Sequence, residues 1–281
     1  MASLSTATDG EITEFKGRLA RAGFDAEIIR EINRSDGNEL AKAMFTALMN
    51  HPRFTFVHGL FTRQQEQIDR VREWNKERAW GIPAEAFAEA EKFVPAWPED
   101  ELTAVILVPY LDNKKNKKSE ITMTGVERTF RELWTCAASE QDKSWCWDGY
   151  DNAGPERLRL LKGVEHKPGL FWEVINLGID CNRKPEDVRS AERSPHAGIL
   201  AAAALHPKWV KSMDGYKVPY VWIPGYEVSA PGEGLWTGAP NLRFFSTNSQ
   251  IVLHYDRRDN HVPTWSVPAF VRKCDHRNLS N

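Results

Sequence analysis

Apolar residues recur at helical spacing through the first hundred positions. Ile12, Phe15 and Leu19 stand at i, i+3 and i+7, and Gly23 follows as a stop. Asp25 is placed to cap a second helix with Ile28, Ile29 and Ile32 on its apolar side, which Ser35-Asp36-Gly37 breaks. Leu40, Met44, Phe45 and Leu48 mark a third helix. Asn50-His51-Pro52 ends it, because the residue before a proline disfavours the α region. Thr62 with Gln65 reads as a capping box ahead of a fourth helix that carries Ile68, Val71 and Trp74. Pro83 opens a fifth, with Phe87 and Phe93, and Pro95 and Pro98 bracket Trp97 in a linker.

The pattern changes after Glu99. Leu102 to Leu111 is apolar and β-branched and reads as a strand buried on both faces. A solvated loop with Lys114, Lys115, Lys117 and Lys118 follows. Thr124 then caps a helix with Val126, Phe130, Leu133 and Trp134 inward. Residues 136 to 167 read as mostly irregular, and Leu170 to Ile179 as a second strand. Pro185 to Arg193 and Pro195 to Leu205 read as helices. The second lacks a polar face and is expected to be covered on most sides. Four short strand-like runs close the chain: Val218 to Ile223, Leu242 to Phe245, Ile251 to Tyr255 and Trp265 to Val271. The order strand, helix, strand over 102 to 179 suggests a parallel crossover, and the late strands, with no helices between them, are expected to pair antiparallel. The fold class is therefore α+β. A helical N-terminal region, 1–98, is packed on or linked to a mixed α/β sheet domain, 99–281.

The chain length of 281 residues suits about two domains. Hydrophobic residues at 41% and charged residues at 27% exclude wholesale disorder. The net charge of −2 excludes a globally basic nucleic-acid binder, though not a local patch. No run of about 18 apolar residues occurs, so no transmembrane helix and no membrane partner are expected. The first ten residues have no basic segment and no apolar segment, which argues against a secretory signal. Cys136, Cys146, Cys181 and Cys274 form no C-x-x-C pair. Free thiols and a cytoplasmic location are the expectation, with no metal and no cofactor.

Candidate chemistry gathers in three places. The chain has eleven tryptophans, and Trp145, Trp147 and Trp236 fall in Gly- and Asp-rich loops, where an exposed indole needs a partner. Trp134, Trp172, Trp222 and Trp265 suit a core. The stretch from His196 to Glu227 holds His196, His206, Asp214, Trp222, Tyr226 and Glu227. His206 precedes Pro207 at a helix C-terminus, where the dipole favours the imidazolium. His196 sits at the helix start, where the dipole favours the neutral ring. The two are about 15 Å apart along a helix and cannot share a metal. Trp222 and Tyr226, on a regular strand, would share one face and lead to Trp236. His254, Asp256, Asp259, His261, Cys274 and His276 are metal-ligand types in no zinc spacing, and the glycines at 232, 234 and 238 lack the strand and helix of a phosphate loop. Arg18, Arg21, Arg30 and Arg34 invite a helix-turn-helix reading, but the interleaved Glu11, Glu14, Glu27 and Glu31 cancel their field.

The segments LAAAALHPKWV (Leu200 to Val210) and MDGYKVPYVWIPGYE (Met213 to Glu227) resemble an uncharacterised family of bacterial proteins, as do the runs VHGLFT and VREWNKERAWG between residues 57 and 81. That resemblance implies a soluble bacterial protein and carries no functional residue with it.

Three functions stay open. The leading one is recognition of a small molecule or protein partner in a cleft lined by Trp145, Trp147, His206, Trp222, Tyr226 and Trp236. The second is a metal-independent hydrolase or transferase in which His206 or His196 is a general base oriented by Asp214 or Glu227. The third is association with nucleic acid through the N-terminal helices and the Lys114 to Lys118 loop.

Overall fold

A computed structural model describes residues 60–98, 102–147, 150, 157–229, 235–260 and 262–273. The three helices expected before residue 52, and with them the helix-turn-helix reading, lie outside the described residues. Residues 60–281 form one compact unit.

Helix α1, Gln64–Glu77, and helix α2, Ala84–Lys92, pack on the first sheet, so the sheet unit begins well before the expected boundary at 98/99. That sheet has the order β1-β6-β12, with β1 at Thr103–Tyr110, β6 at Gly169–Asn176 and β12 at Ala269–Lys273. Every residue of β1 is buried, as its unbroken apolar run requires. β1 is an edge strand whose outward amides must still be satisfied. Gln67 does this from α1. Its Nε2 donates to Val105 O and its Oε1 accepts from Leu107 N–H, both at 2.9 Å. On the same side of the sheet the Trp172 indole N–H donates to Ala90 O of α2.

The expected parallel crossover does not form. β6 pairs with β1 antiparallel, from Thr103↔Asn176 to Tyr110↔Gly169. The chain between them leaves the sheet through a ribbon of β2, Lys114–Lys115, and β3, Ile121–Met123, then helix α3, Gly125–Ser139. The lysine segment is exposed, and Asn116 Oδ1 closes its turn by accepting from Lys118 N–H and Glu120 N–H. Thr124 caps α3 as expected, its hydroxyl accepting from Glu127 N–H. The buried stripe of α3 is Gly125, Thr129, Phe130, Leu133, Cys136 and Ala137. Val126 and Trp134 lie off that stripe, half-buried.

The region expected to be irregular contributes two strands, β4 at Lys143–Cys146 and β5 at Leu158–Leu160, to a seven-stranded mixed sheet. Its main path is β11-β7-β9-β10-β4, and β8 pairs with both β5 and β9. Here β7 is Tyr220–Trp222, β8 Tyr226–Val228, β9 Gly238–Phe245, β10 Gln250–Arg257 and β11 Trp265–Ser266. β9 pairs antiparallel with β10 and β7, as expected, but β10 with β4 and β11 with β7 are parallel. The last apolar run also splits. Pro268 follows β11, and the chain continues into β12 of the first sheet.

Only Pro185–Val188 of the first late helix forms, as α4. The second forms as α5, Ala197–Leu205, with every residue buried. Opposite α1 and α2, it packs on β1 and on α3. Its alanines let these neighbours come close. A Cβ added to Gly198 would stand 2.2 Å from Glu173 Oε2 and 2.6 Å from Ile175 Cδ1. A short helix α6, Pro207–Lys211, follows directly.

Two substitutions test this packing. Ala202→Leu or Ala203→Leu should overpack α5 and lower stability by roughly 1–3 kcal/mol in urea unfolding. An unchanged midpoint in both would place the helix outside the core. Gln67→Leu should cost roughly 2–4 kcal/mol, because two edge groups of β1 lose their partner without gaining water.

Candidate functional site

The six residues expected to line one cleft occupy five separate places. Trp222 is fully buried against Ala239, Val267 and Trp265, with its ring 4.9 Å from that of Trp265. Tyr226 does not share its face. Pro224 and Gly225 turn the chain between β7 and β8, so strand alternation does not carry across. Gly225 sits where a Cβ would lie 2.8 Å from Pro195 O, and its N–H donates to that same oxygen. Trp236 is half-buried under the Arg159 guanidinium, whose carbon lies 4.2 Å from the ring centroid.

His206 is a junction residue. It caps the C-terminus of α5 and the N-terminus of α6, and its Nδ1 accepts from Thr62 N–H at 3.0 Å. The Thr62 hydroxyl donates to Leu205 O, so the residue expected to open a capping box instead pins the chain before α1 to the end of α5. Arg63 takes the N-cap position, without a side-chain bond. Complete burial pushes the His206 pKa down to about 3, against a smaller raising effect of Leu205. The neutral ring therefore replaces the imidazolium expected from the helix dipole, because desolvation outweighs a terminal dipole worth about 1 kcal/mol.

The proposed orienting carboxylates do not face a histidine. Asp214 is exposed, and its Oδ1 accepts from the N–H groups of Tyr216, Lys217 and Val218, which lower its pKa. It builds a turn. Glu227 is buried among Arg159, Arg189 and Arg258.

His196 meets different partners. Only 4% exposed, it lies with its ring 5.0 Å from Tyr110, 5.6 Å from Tyr226 and 6.4 Å from His166. Tyr110 OH donates to Glu173 Oε1 at 2.5 Å, and the Glu173 carboxylate lies against the first turn of α5 at Gly198. The helix N-terminus favours negative charge there. Burial, with Glu173 nearby, raises both tyrosine pKa values. His166 is half-buried, with its Nε2 2.9 Å from Leu111 O, and burial lowers its pKa. Proton-transfer groups thus converge from β1, β6, β8 and the start of α5. Tyr110 and Glu173 come from strands whose contact depends on antiparallel pairing and His166 from the loop before β6, and no local sequence signal marks them.

Trp145 and Trp147 belong to a second cluster, on the edge strand β4 and its neighbour β10. The parallel register sets Val252 beside Trp145 and Leu253 beside Cys146. Trp145 stacks on His254 at 5.6 Å and 20°, and His254 stacks on Tyr255 at 5.4 Å and 12°. Trp147 contacts Tyr255 at 4.1 Å and Tyr150 at 5.2 Å, and Tyr150 reaches Phe130 of α3 at 5.1 Å. The ladder is anchored inside and open outside, where Trp145 is 40% exposed and follows exposed Lys143 and Ser144. Burial, then the charge of Arg243, lowers the His254 pKa, which favours a neutral stacking ring. Among the described residues no three His, Cys, Asp or Glu side chains could hold a metal ion, and His261, Cys274 and His276 lie outside the described residues. A depression of about 290 Å³ lies between α1 and α2, and none of the expected site residues lines it. No helix among the described residues is long and apolar enough to cross a membrane.

Comparison with protein-family models, characterised proteins and solved structures finds no match to this chain.

His206 yields a pH prediction. Its folded pKa of about 3 lies below the ordinary 6.5, so the unfolded chain binds the proton more tightly. The stabilisation is complete above about pH 6.5 and is lost as pH falls, by up to about 1.4 kcal/mol per unit. Denaturant unfolding between pH 6.5 and 5 should show this slope. His206→Asn, whose Oδ1 can replace Nδ1 as the acceptor for Thr62, should flatten it.

Proposed function

We propose that this protein recognises a small molecule with a flat or sugar-like face, and that the β4–β10 ring ladder is the surface it uses. One observation carries this reading: Trp145 is held partly open to solvent, stacked on His254, which in turn stacks on Tyr255 beside Trp147. An isolated exposed indole folds back to shed its contact with water. Here its inner face is stacked on His254, which Tyr255 and Trp147 back in turn, so its outer surface stays available. The rings are positioned before binding, which lowers the ordering cost of association.

The enzymatic alternative, a hydrolase or transferase, moves from His206 to His196. The observation in its favour is the contact of His196 with Tyr110, which is itself bonded to Glu173. His196 is sealed from solvent, whereas Trp145 is not, and this favours recognition.

The test is titration of the full chain with oligosaccharides of glucose and of N-acetylglucosamine and with nucleosides, followed by calorimetry. At least one should bind. Trp145→Ala should weaken it about tenfold, equivalent to an aromatic contact worth about 1.5 kcal/mol, while leaving the thermal midpoint within about 2 °C. Equal binding by Trp145→Ala, or no binding across the panel, would overturn the reading.

A further inference from the structure

Among the described residues, the arginines around Glu227 bring more positive charge together than their neighbours neutralise. Glu227 Oε2 accepts from Arg159 Nε at 2.9 Å and Nη2 at 2.8 Å, and Oε1 accepts from Arg189 Nη2 at 2.9 Å and Arg258 Nη1 at 3.0 Å. A carboxylate offers about four lone-pair positions, so this one is filled. The next carboxylate is Glu186, with its Oε2 4.0 Å from Arg258 Nε. Among the described residues, three guanidinium groups thus face two carboxylates, one of them at the limit of contact.

The surplus is set into the fold. The Arg189 side chain is only 6% exposed, and its Nη1 is buried without an acceptor among the described residues. An unpaired buried guanidinium N–H destabilises the fold unless something accepts from it. Arg159 and Arg258 are 50% and 34% exposed, so the cluster is open to solvent on their side. Each arginine comes from a different element. Arg159 lies on β5 directly across from Glu227, Arg189 ends α4, and Arg258 follows β10, where its N–H donates to Thr237 O. Trp236 stacks on Arg159 and holds the plane of its fork.

We propose that Arg159, Arg189 and Arg258 form a binding site for a phosphate group, with Glu227 as the positioning residue that fans the three guanidinium groups apart. Planar guanidinium forks match the oxygens of a tetrahedral phosphate, and a dianion offsets the charge surplus that the protein leaves. Trp236, beside Arg159, offers a flat neighbour for the organic part of a phosphate ester. The site is independent of the ring ladder, so either can fail without the other.

The test uses the full chain with inorganic phosphate, glucose 6-phosphate and adenosine monophosphate, each against sodium chloride at equal ionic strength, which removes general screening. At least one phosphate should raise the thermal midpoint by about 3 °C or more at saturation. Binding by inorganic phosphate alone identifies a free-ion site, and tighter binding of either ester identifies a phosphorylated ligand. Arg258→Gln should weaken binding about tenfold. Glu227→Gln, which enlarges the positive surplus, should unfold at lower temperature but gain more from phosphate than the parent chain does. A purely structural ion cluster predicts no gain in either chain. Should both variants fail to fold, the Nε–Hε resonances of arginine in the parent chain decide. Phosphate should shift a small set of them, and chloride should not. A thermal response no larger than that to chloride, equal binding by Arg258→Gln, or unmoved resonances would each overturn the proposal.

Discussion

The nine residues of α5 carry no polar side chain, and a helix of that kind is stable in water only when it is covered. Covering it determines much of the surrounding arrangement. The first sheet and α3 pack closely on it because Ala197, Gly198 and Ala201 to Ala204 lack bulk. Each fully buried Ile or Leu adds about 1.5–3 kcal/mol to that packing. Both ends of the helix must also be satisfied inside the protein. Its C-terminus is closed by His206 and Thr62, and its first turn lies against Glu173.

This demand accounts for much of the buried polar chemistry. His206 is kept neutral because it sits where the helix ends, in a place no water reaches. His196 is the N-cap residue and is surrounded by Tyr110, Tyr226 and His166, which bridges the two sheets with rings. Strand β8 then separates two environments by simple alternation. Tyr226 joins the rings at the start of α5, and Glu227, the next residue, gathers the arginines.

The groups open to solvent are built on other elements. Trp145 lies on an edge strand whose parallel partner supplies His254 and Tyr255. Arg159 and Arg258 surround a buried carboxylate that keeps them in place. In both cases a rigid interior group holds an exposed one, which is the arrangement that lowers the ordering cost of binding.

Local pattern was enough wherever one element decided the outcome. The unbroken apolar run of β1, the Thr124 cap of α3 and the polar-free helix α5 follow from periodicity and capping chemistry in short windows, and so does the α+β class. Trp145 and Trp147 read as loop residues, and Trp145 instead lies on the edge strand β4. Pairing was not legible, because strand direction depends on partners far along the chain. β1 and β6 meet antiparallel, β4 and β10 meet parallel, and no residue in either pair signals it. His254 therefore reads as a metal-ligand type in the sequence and becomes a stacking ring only in the register that sets Trp145 beside β10. Glu227 reads as a partner for histidine and becomes the anchor of Arg159, Arg189 and Arg258, which lie 68, 38 and 31 residues from it. Residue type and spacing determined which groups are available. Long-range pairing and burial decided which of them meet, because desolvation and charge pairing act through space rather than along the chain.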